Sequence, residues 1–292
     1  MSEVAIGTVA MRCTEDMSGN VAKMERFVAE AAAKDVRLLV FPEMAVQGYL
    51  IDGGTYTSPG TLGELDRFRR IAETVPGRST ERFSRLAKRH GMTIQFGIAE
   101  CNEVRTKLFN SAVIVGPEGL VGRYRKVHNQ NEWPVFHAGS DIKVYPTPVA
   151  TLGPFVCADL HYPELLRILA VEGAQILTMS TAYPMDGDDP ATDPNGAAYK
   201  THADAAAMAS QIWVVQSNQI GFGREDGTGA NYYGHSRIVS PFGEVATSGY
   251  AECLVTARVD IAGEIARHLA AKGPRMARRR PDVYGPLADP RY

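Results

Sequence analysis

Apolar runs and segments of helical periodicity alternate along most of this chain. In "NVAKMERFVAEAAAKD" the apolar residues recur at the spacing of a one-faced helix: Val21, Met24, Phe27, Val28 and Ala31. The runs on either side, "VAIGTVAM" and "VRLLVFPE", predict strands, and the second is apolar enough to be buried on both faces of a sheet. A second helix is predicted for "STERFSRLAKRHG", which ends at Gly91 and leads into the strand "MTIQFGIAE".

The rest of the chain repeats this alternation. "NSAVIVGPEGLVGRYRKVH" predicts a hairpin, "KVYPTPVATLGPFVC" a strand pair, and "HSRIVSPFGEVA" a further hairpin. Between them, helices are predicted for "PELLRILAVEG" and "AAYKTHADAAAMAS", and strands for "AQILTMS" and "QIWVVQSN". The pattern indicates one α/β domain over residues 1–292 with a mixed sheet. The Pro-, Asp- and Gly-rich segment 181–197 is either a lid or pocket wall or a solvated loop.

Composition narrows the possible partners and the compartment. The net charge of −2 over 292 residues gives no reason to expect a nucleic acid or an anionic membrane as partner. The N-terminus reads as a strand rather than a signal peptide, and no apolar stretch approaches membrane-spanning length. The four scattered cysteines are typical of free thiols in a reducing cytoplasm. Because no C-x-x-C or H-x-x-x-H spacing occurs, no metal site and no cofactor are expected.

Three chemically useful residues follow apolar strands. Glu43 in "LLVFPEM" lies just past a buried strand, where loss of water would raise the pKa of a carboxylate towards that of a general base. Lys126 in "GRYRKVH" alternates with Arg125, so one of the two points inward and needs a carboxylate partner. Cys157 in "FVCADLHYPE" lies at a turn where backbone N–H groups favour a thiolate and an oxyanion.

Each of these residues also has an ordinary structural interpretation. Glu43 could be a loop carboxylate paired with a nearby cation, and Lys126 an edge-strand lysine that discourages aggregation. Cys157 could be a packed thiol, as many buried cysteines are. What favours function is that base, cation and thiol occur together, each at a strand end.

The segments "LLVFPEM…GY", "GRYRKVH" and "FVCADLHYPE" resemble the three signature segments of the nitrilase superfamily of carbon–nitrogen hydrolases. The later segments "SQIWVVQSNQIG", "GHSRIVSPFGEV" and "RRRPDVY" are also similar to that family, so the resemblance covers essentially the whole chain. It implies a four-layer α-β-β-α sandwich with two mixed sheets. It also implies a homodimer or higher homo-oligomer, with residues 260–292 forming a C-terminal helix and tail that pack between protomers.

The resemblance implies the roles of the site residues as well. Cys157 would be the nucleophile, Glu43 the general base, Lys126 the electrostatic stabiliser and Glu132 an auxiliary glutamate. Six further residues are expected to bind substrate: Tyr49, Ala158, His161, Tyr162, Thr181 and Ala182. For these six, packing behind the site is an equally good interpretation.

The expected reaction is hydrolysis of a small aliphatic or aryl-alkyl amide to a carboxylic acid and ammonia through a Cys157 thioester. Asp159, two residues after the cysteine, favours the amidase-like branches over nitrile-cleaving ones. A nitrile hydrolase and an N-carbamoyl amine or amino acid amidohydrolase remain alternatives. A catalytically silent binding protein on the same fold is disfavoured because no member of the triad is missing, and a papain-like protease because Cys157 lies mid-chain.

Overall fold

The computed structural model describes residues 3–49, 61–130 and 132–289. Its strands are β1 (Val4–Ala10), β2 (Val36–Val40), β3 (Thr93–Cys101), β4 (Leu108–Gly116), β5 (Gly119–Arg125), β6 (Tyr145–Pro146), β7 (Thr151–Val156), β8 (Ile176–Thr181), β9 (Trp213–Asn218), β10 (Ile220–Phe222), β11 (Asn231–Tyr233), β12 (Arg237–Ser240), β13 (Gly243–Thr247) and β14 (Cys253–Val259). Its α-helices are α1 (Met17–Ala33), α2 (Leu62–Ile71), α3 (Arg78–His90), α4 (Pro163–Val171), α5 (Pro194–Ser210) and α6 (Ile261–Lys272).

Two six-stranded mixed sheets carry the fold. The first has the order β14-β1-β2-β3-β4-β5, and the second has the order β13-β12-β9-β8-β7-β6. In each sheet three neighbouring strands are parallel: β1, β2 and β3 in the first, and β7, β8 and β9 in the second. The remaining pairs within these sheets are antiparallel. The first half of the chain, together with β14 from the C-terminal part, therefore builds a sheet similar to the one that β6 to β9, β12 and β13 build.

Side-chain alternation along the strands explains the layers. In β2, Leu38 and Val40 pack between the two sheets, whereas Leu39 packs with the cluster that contains α1 and α3. In β8, Ile176 packs between the sheets and Leu177 packs with the cluster that contains α4 and α5. The order of layers is helices, sheet, sheet, helices, so the expected four-layer α-β-β-α sandwich is confirmed.

Local signals set where the helices begin and end. Helix α1 begins at Met17 because the side chain of Asp16 accepts the Ser18 N–H at 3.0 Å as an N-cap. Helix α3 ends as predicted at Gly91, whose φ of 60° suits a residue without a Cβ atom.

Two helical segments differ from the sequence prediction. Helix α2 was not predicted, although Thr61 and Glu64 form a capping box at its start. Segment 181–197 is not loop throughout, because α5 already begins at Pro194 with Asp193 as its N-cap.

The prediction of one domain over residues 1–292, with residues 260–292 packing between protomers, stays a prediction. Helix α6 occupies the first part of that tail, and residues 290–292 lie outside the described residues. Across the ranges that the structure describes, no helix combines the length and apolar character required for a membrane span.

Candidate active site

The ends of four strands place the candidate residues in one region. Lys126 directly follows β5, Cys157 directly follows β7, and Ala182 directly follows β8. Glu43 lies just beyond β2, which is in the same sheet as β5 and faces the sheet that contains β7 and β8. Ligands of α/β proteins commonly bind at the carboxyl ends of parallel strands, and this region has that position.

Glu43 is fully buried, and both of its carboxylate oxygens accept hydrogen bonds. Its Oε1 accepts from Asn110 Nδ2 at 2.5 Å and from Lys126 Nζ at 3.2 Å, and its Oε2 accepts from the Ala182 N–H at 2.7 Å. Gln219 Nε2 donates to the Glu43 backbone carbonyl at 2.8 Å. The side chain is therefore fixed from β4, from β5 and from the opposite sheet.

Lys126 is held between two carboxylates. Its Nζ lies 2.7 Å from Glu132 Oε1 and 3.2 Å from Glu43 Oε1, and all three side chains are buried. Glu132 Oε1 also accepts from Tyr49 Oη at 2.9 Å and from Asn110 Nδ2 at 3.0 Å. The second oxygen, Glu132 Oε2, is buried and has no hydrogen-bond partner within the described part of the chain.

Cys157 begins a 3₁₀ turn, Cys157–His161, in a left-handed backbone conformation with φ of 46°. That conformation is uncommon for a residue with a side chain and is found at strained functional turns. The pKa of the Cys157 thiol is raised to about 12, mainly by burial and secondly by the negative charge of Glu43, while Lys126 acts to lower it. The resting thiol is therefore protonated at neutral pH and needs a base.

Glu43 has the properties of that base. Burial raises its pKa above the ordinary value; Lys126 lowers it, Glu132 raises it, and a hydrogen bond with Cys157 lowers it. For Lys126, burial acts to lower the pKa, but the carboxylates of Glu132 and Glu43 outweigh it, and the net direction is well upward. The site thus holds a fixed ammonium beside a carboxyl group that is easier to protonate than usual.

A cavity of about 50 Å³ opens at Cys157. Its walls combine polar groups of the site with small apolar groups: Tyr49, Lys126, Gln130, Glu132, Cys157, Ala158, Ala182, Pro184, Ala230 and Tyr232. Such a volume admits a few water-sized groups, which is enough for the reacting end of a small molecule.

The structure separates the six residues that were expected to bind substrate. Tyr49, Ala158 and Ala182 line the cavity. Thr181 is buried beside the thiol, where its side chain lowers the pKa of Cys157. His161 lines a different depression on the outer helical face, because the 3₁₀ turn carries it away from the thiol.

Tyr162 does not line the cavity of Cys157 either. Its ring is exposed and stacks on His128, with centroids 3.6 Å apart and planes at 7°.

Sequence reasoning missed Asn110, which bridges both carboxylates of the site. Asn110 is fully buried in β4, and its backbone carbonyl also accepts the Lys126 N–H at 2.8 Å. The signal was present in "LFNSAVIVG", where an amide and a serine interrupt a strand that is otherwise apolar. A buried amide in such a run needs partners, and here its partners are the two glutamates.

Within 3–49, 61–130 and 132–289, no group of three or more histidine, cysteine, aspartate or glutamate side chains is placed to hold a metal ion.

A half-buried thiol beside a carboxylate and an ammonium defines a class of site suited to nucleophilic hydrolysis. The family profile described as Carbon-nitrogen hydrolase matches residues 3–266. The chain therefore belongs to the carbon–nitrogen hydrolase family, within the nitrilase superfamily, as its three signature segments predicted.

Individual relatives cover nearly the whole chain. The omega-amidase NIT2 of Xenopus tropicalis is 28% identical, with 97% of this chain and 98% of the relative covered. The N-carbamoylputrescine amidase of Arabidopsis thaliana is also 28% identical, with 97% and 94% covered. The crystal structure of Saccharomyces cerevisiae Nit3, a member of branch 10 of the nitrilase superfamily, matches with a TM-score of 0.80 at 22% identity, covering 96% of this chain and 97% of Nit3.

Proposed function

We propose that this protein is an amidase that hydrolyses a small primary amide to a carboxylic acid and ammonia. The observation that carries the proposal is the convergence of Glu43, Lys126 and Cys157 from three different strand ends on one small cavity. Cys157 acts as nucleophile, Glu43 as general acid and base, and Lys126 as electrostatic stabiliser.

Acylation begins with proton transfer from the Cys157 thiol to the Glu43 carboxylate. The thiolate attacks the amide carbon, and the negative charge that develops on the oxygen is stabilised by the Lys126 ammonium and the backbone N–H of Ala158. Glu43, now protonated, gives its proton to the nitrogen as the C–N bond breaks. Ammonia leaves, and the acyl group remains on sulfur as a thioester.

Deacylation uses the same groups in reverse. Glu43 takes a proton from a water molecule, and the resulting hydroxide attacks the thioester carbon. The carbon–sulfur bond breaks, the thiolate regains a proton from Glu43, and the carboxylic acid leaves.

The hydrogen bonding of Glu132 favours an amide over a nitrile as the substrate. Tyr49, Lys126 and Asn110 all donate to Glu132 Oε1, whereas Oε2 has no donor among the described residues although the side chain lines the cavity. A buried carboxylate oxygen without a donor is costly, and the N–H of an amide would satisfy it. A nitrile nitrogen carries no hydrogen and cannot.

An N-carbamoyl amine is the second candidate substrate. Its terminal carboxamide carries the same N–H donors, and one relative of this chain is an N-carbamoylputrescine amidase that is as similar in sequence as the omega-amidase. Since the cavity admits only a few heavy atoms, the two candidates differ in the part of the substrate that lies outside it.

We also propose a cytoplasmic, self-associating enzyme. All four cysteines are free, as is usual in a reducing compartment. Helices α4 and α5 cover the second sheet and expose large apolar side chains to solvent, namely Ile168, Val171 and Met208. Clustered apolar side chains of this kind favour contact with another protomer.

The test is a matched panel of small amides, N-carbamoyl amines and nitriles, with released ammonia measured and the intact protein weighed during turnover. We expect ammonia from amides and an added acyl mass on Cys157. Cys157→Ala should lower turnover by about 10⁴-fold or more while the protein stays folded. Cys253→Ala is the matched control, because that thiol lies in β14 and should be dispensable.

Each alternative has its own signature in the same experiment. A carbamoyl adduct with release of the amine would establish the second candidate, and turnover of nitriles alone would overturn the amidase proposal. Full activity in Cys157→Ala would overturn the mechanism itself.

A further inference from the structure

Asp159 is a fully buried carboxylate that accepts four hydrogen bonds. Its Oδ2 accepts from Tyr124 Oη at 2.7 Å and from the Val156 N–H at 3.1 Å. Its Oδ1 accepts from the backbone N–H of His128 at 3.0 Å and lies 2.8 Å from His128 Nδ1. A buried carboxylate with this many donors is rigidly held, and each donor fixes a different piece of backbone or side chain.

Two of these donors lie on either side of Lys126. Tyr124 stands two residues before it at the end of β5, and His128 two residues after it. The Asp159 carboxylate therefore holds the chain on both sides of Lys126 but does not contact the Lys126 ammonium itself. The carboxylates that do touch Lys126 Nζ are Glu43 and Glu132.

The remaining donor, the Val156 N–H, and Asp159 itself lie on either side of the nucleophile. Val156, whose N–H donates to Asp159, precedes Cys157, and Asp159 itself lies two residues after it. Between them the backbone of Cys157 takes its left-handed conformation, with φ of 46°. Such a conformation persists only where surrounding contacts hold it, and the Asp159 carboxylate supplies one by accepting the N–H of the residue just before Cys157.

The donors are themselves fixed. Burial raises the pKa of Tyr124, so its hydroxyl stays protonated and donates to Asp159. The His128 ring stacks on Tyr162 at a centroid separation of 3.6 Å, which sets the ring plane that brings Nδ1 to Asp159. Through this stack Tyr162 helps to orient His128, although its side chain does not line the cavity.

We propose that Asp159 is a positioning residue that holds the Cys157 turn in register with the segment carrying Lys126. The inference rests on the amidase function proposed above and extends it to a residue that does not line the cavity. Because the thiolate and the oxyanion stabiliser come from different strands, their distance depends on a link between those strands. Asp159 is such a link, and small displacements of reacting groups lower rates strongly.

The primary test compares Asp159→Asn with Glu73→Gln. Asparagine has nearly the same shape as aspartate, but its NH₂ group cannot accept hydrogen bonds. The donors that face this group would lose their acceptor, so the link between the two segments should weaken. Glu73 is a matched control because its buried carboxylate accepts from the Ser79 N–H at 2.7 Å and Ser79 Oγ at 3.0 Å, next to α3 and apart from the cavity. The melting temperature of each variant is measured alongside kcat and KM.

We expect Asp159→Asn to lower kcat by about tenfold to 10²-fold with KM changed by about twofold or less. Glu73→Gln should keep the wild-type kcat even if its melting temperature falls as much as that of Asp159→Asn. A merely structural role for Asp159 predicts that the two variants lose activity in proportion to their stability, and that result would overturn the proposal.

A second measurement does not depend on the substrate. Iodoacetamide alkylation of Cys157, followed by mass spectrometry at neutral pH, should slow several-fold in Asp159→Asn because the thiol is displaced from its base. A purely electrostatic role predicts faster alkylation, since loss of a nearby negative charge favours the thiolate. If the wild-type protein cleaves no amide, this readout still tests the link, so failure of the proposed function and failure of the inference are distinguishable.

Milder variants keep the inference testable if Asp159→Asn does not fold. Tyr124→Phe removes one donor, and His128→Ala removes one donor and the stack on Tyr162. Both should slow alkylation and lower kcat less than loss of the carboxylate would. His128→Asn should recover part of the loss because its amide can donate to Asp159; wild-type rates in both Tyr124→Phe and His128→Ala would overturn the proposal.

Discussion

The chemistry of single residues here depends on how tightly charge is packed around Glu43. Its carboxylate is shielded from water, faces one ammonium and stands near a second carboxylate, and the balance raises its pKa. A residue that must accept and then donate a proton works best when its pKa approaches the operating pH. The same burial that disfavours the charged form therefore suits Glu43 to both halves of the reaction.

The pH profile of kcat/KM tests this reading of Glu43. The base acts only when it is deprotonated, so activity should fall as pH decreases through its pKa, at a midpoint above the ordinary 4.5. Glu132→Gln removes a negative charge that raises the pKa of Glu43, so the midpoint should move down in that variant even though its activity is lower. A wild-type profile that stays flat down to pH 4.5, with folding verified at each point, would contradict the assignment.

Some residues of the candidate site could be predicted from the sequence, and others could not. Glu43, Lys126 and Cys157 were recognisable because each lies at the end of a predicted strand, within a segment that resembles a family signature. Asn110 was not, because its importance lies in two contacts, at 2.5 and 3.0 Å, with residues far away in the chain. Local patterns predict which residues are buried, but only the folded chain brings such partners together.

At the scale of elements, the approach of two backbones fixes the position of Glu43. Strand β3 passes directly under the segment after β2, and the Gly97 N–H donates to the Pro42 carbonyl at 3.0 Å. A Cβ atom at Gly97 would lie 2.5 Å from Glu43 Cα and from Pro42 O, too close for real atoms. Glycine at this position lets Glu43, the proposed general base, lie against the sheet.

Gly97→Ala should therefore displace the base as well as strain the sheet. We expect kcat/KM to fall by about tenfold or more, and the free energy of unfolding to decrease by about 1–3 kcal/mol. Both are measured on the purified variant by amide kinetics and denaturant titration. Gly63→Ala is the control: it lies in α2, where the nearest atom to an added Cβ is Thr61 Oγ1 at 3.8 Å, and stability should hold or rise. Unchanged kinetics in Gly97→Ala would refute this account.

Elements with a strong internal period were predictable, whereas one with mainly local end signals was missed. Helix α1 has a continuous apolar stripe, and β2 is a continuous apolar run. Helix α2 is polar along most of its length and buries only Glu64 and Phe68, so its sequence lacks the stripe that identifies a packed helix. Its capping box was the readable signal.

At the scale of the whole molecule, the active site exists because two sheets face each other. The pattern of apolar and polar residues predicted strands and helices but not their division into two sheets, since strand order depends on pairings between distant segments; the two sheets were implied only by the family resemblance. The facing sheets are joined by polar contacts near the site. Gln95 in β3 donates to the Thr178 carbonyl at 3.2 Å, and Ser180 Oγ in β8 donates to the Phe41 carbonyl at 2.9 Å. These contacts bring Glu43 of one sheet to Cys157 of the other.

The outer helical layer leads to a prediction about assembly. Ile168 and Val171 of α4 are 42% and 47% exposed, and Met208 of α5 is 47% exposed. Burying such side chains against a second protomer would stabilise a dimer through the hydrophobic effect. We expect sedimentation velocity at micromolar concentration to give a dimer or larger assembly, and Ile168→Glu to shift it towards monomer because a charge would be buried without a partner. Leu62→Glu is the matched control, since Leu62 is 76% exposed on α2, outside the helical layer on the second sheet. A monomeric wild-type protein, or equal dissociation in both variants, would mean that this layer does not mediate assembly.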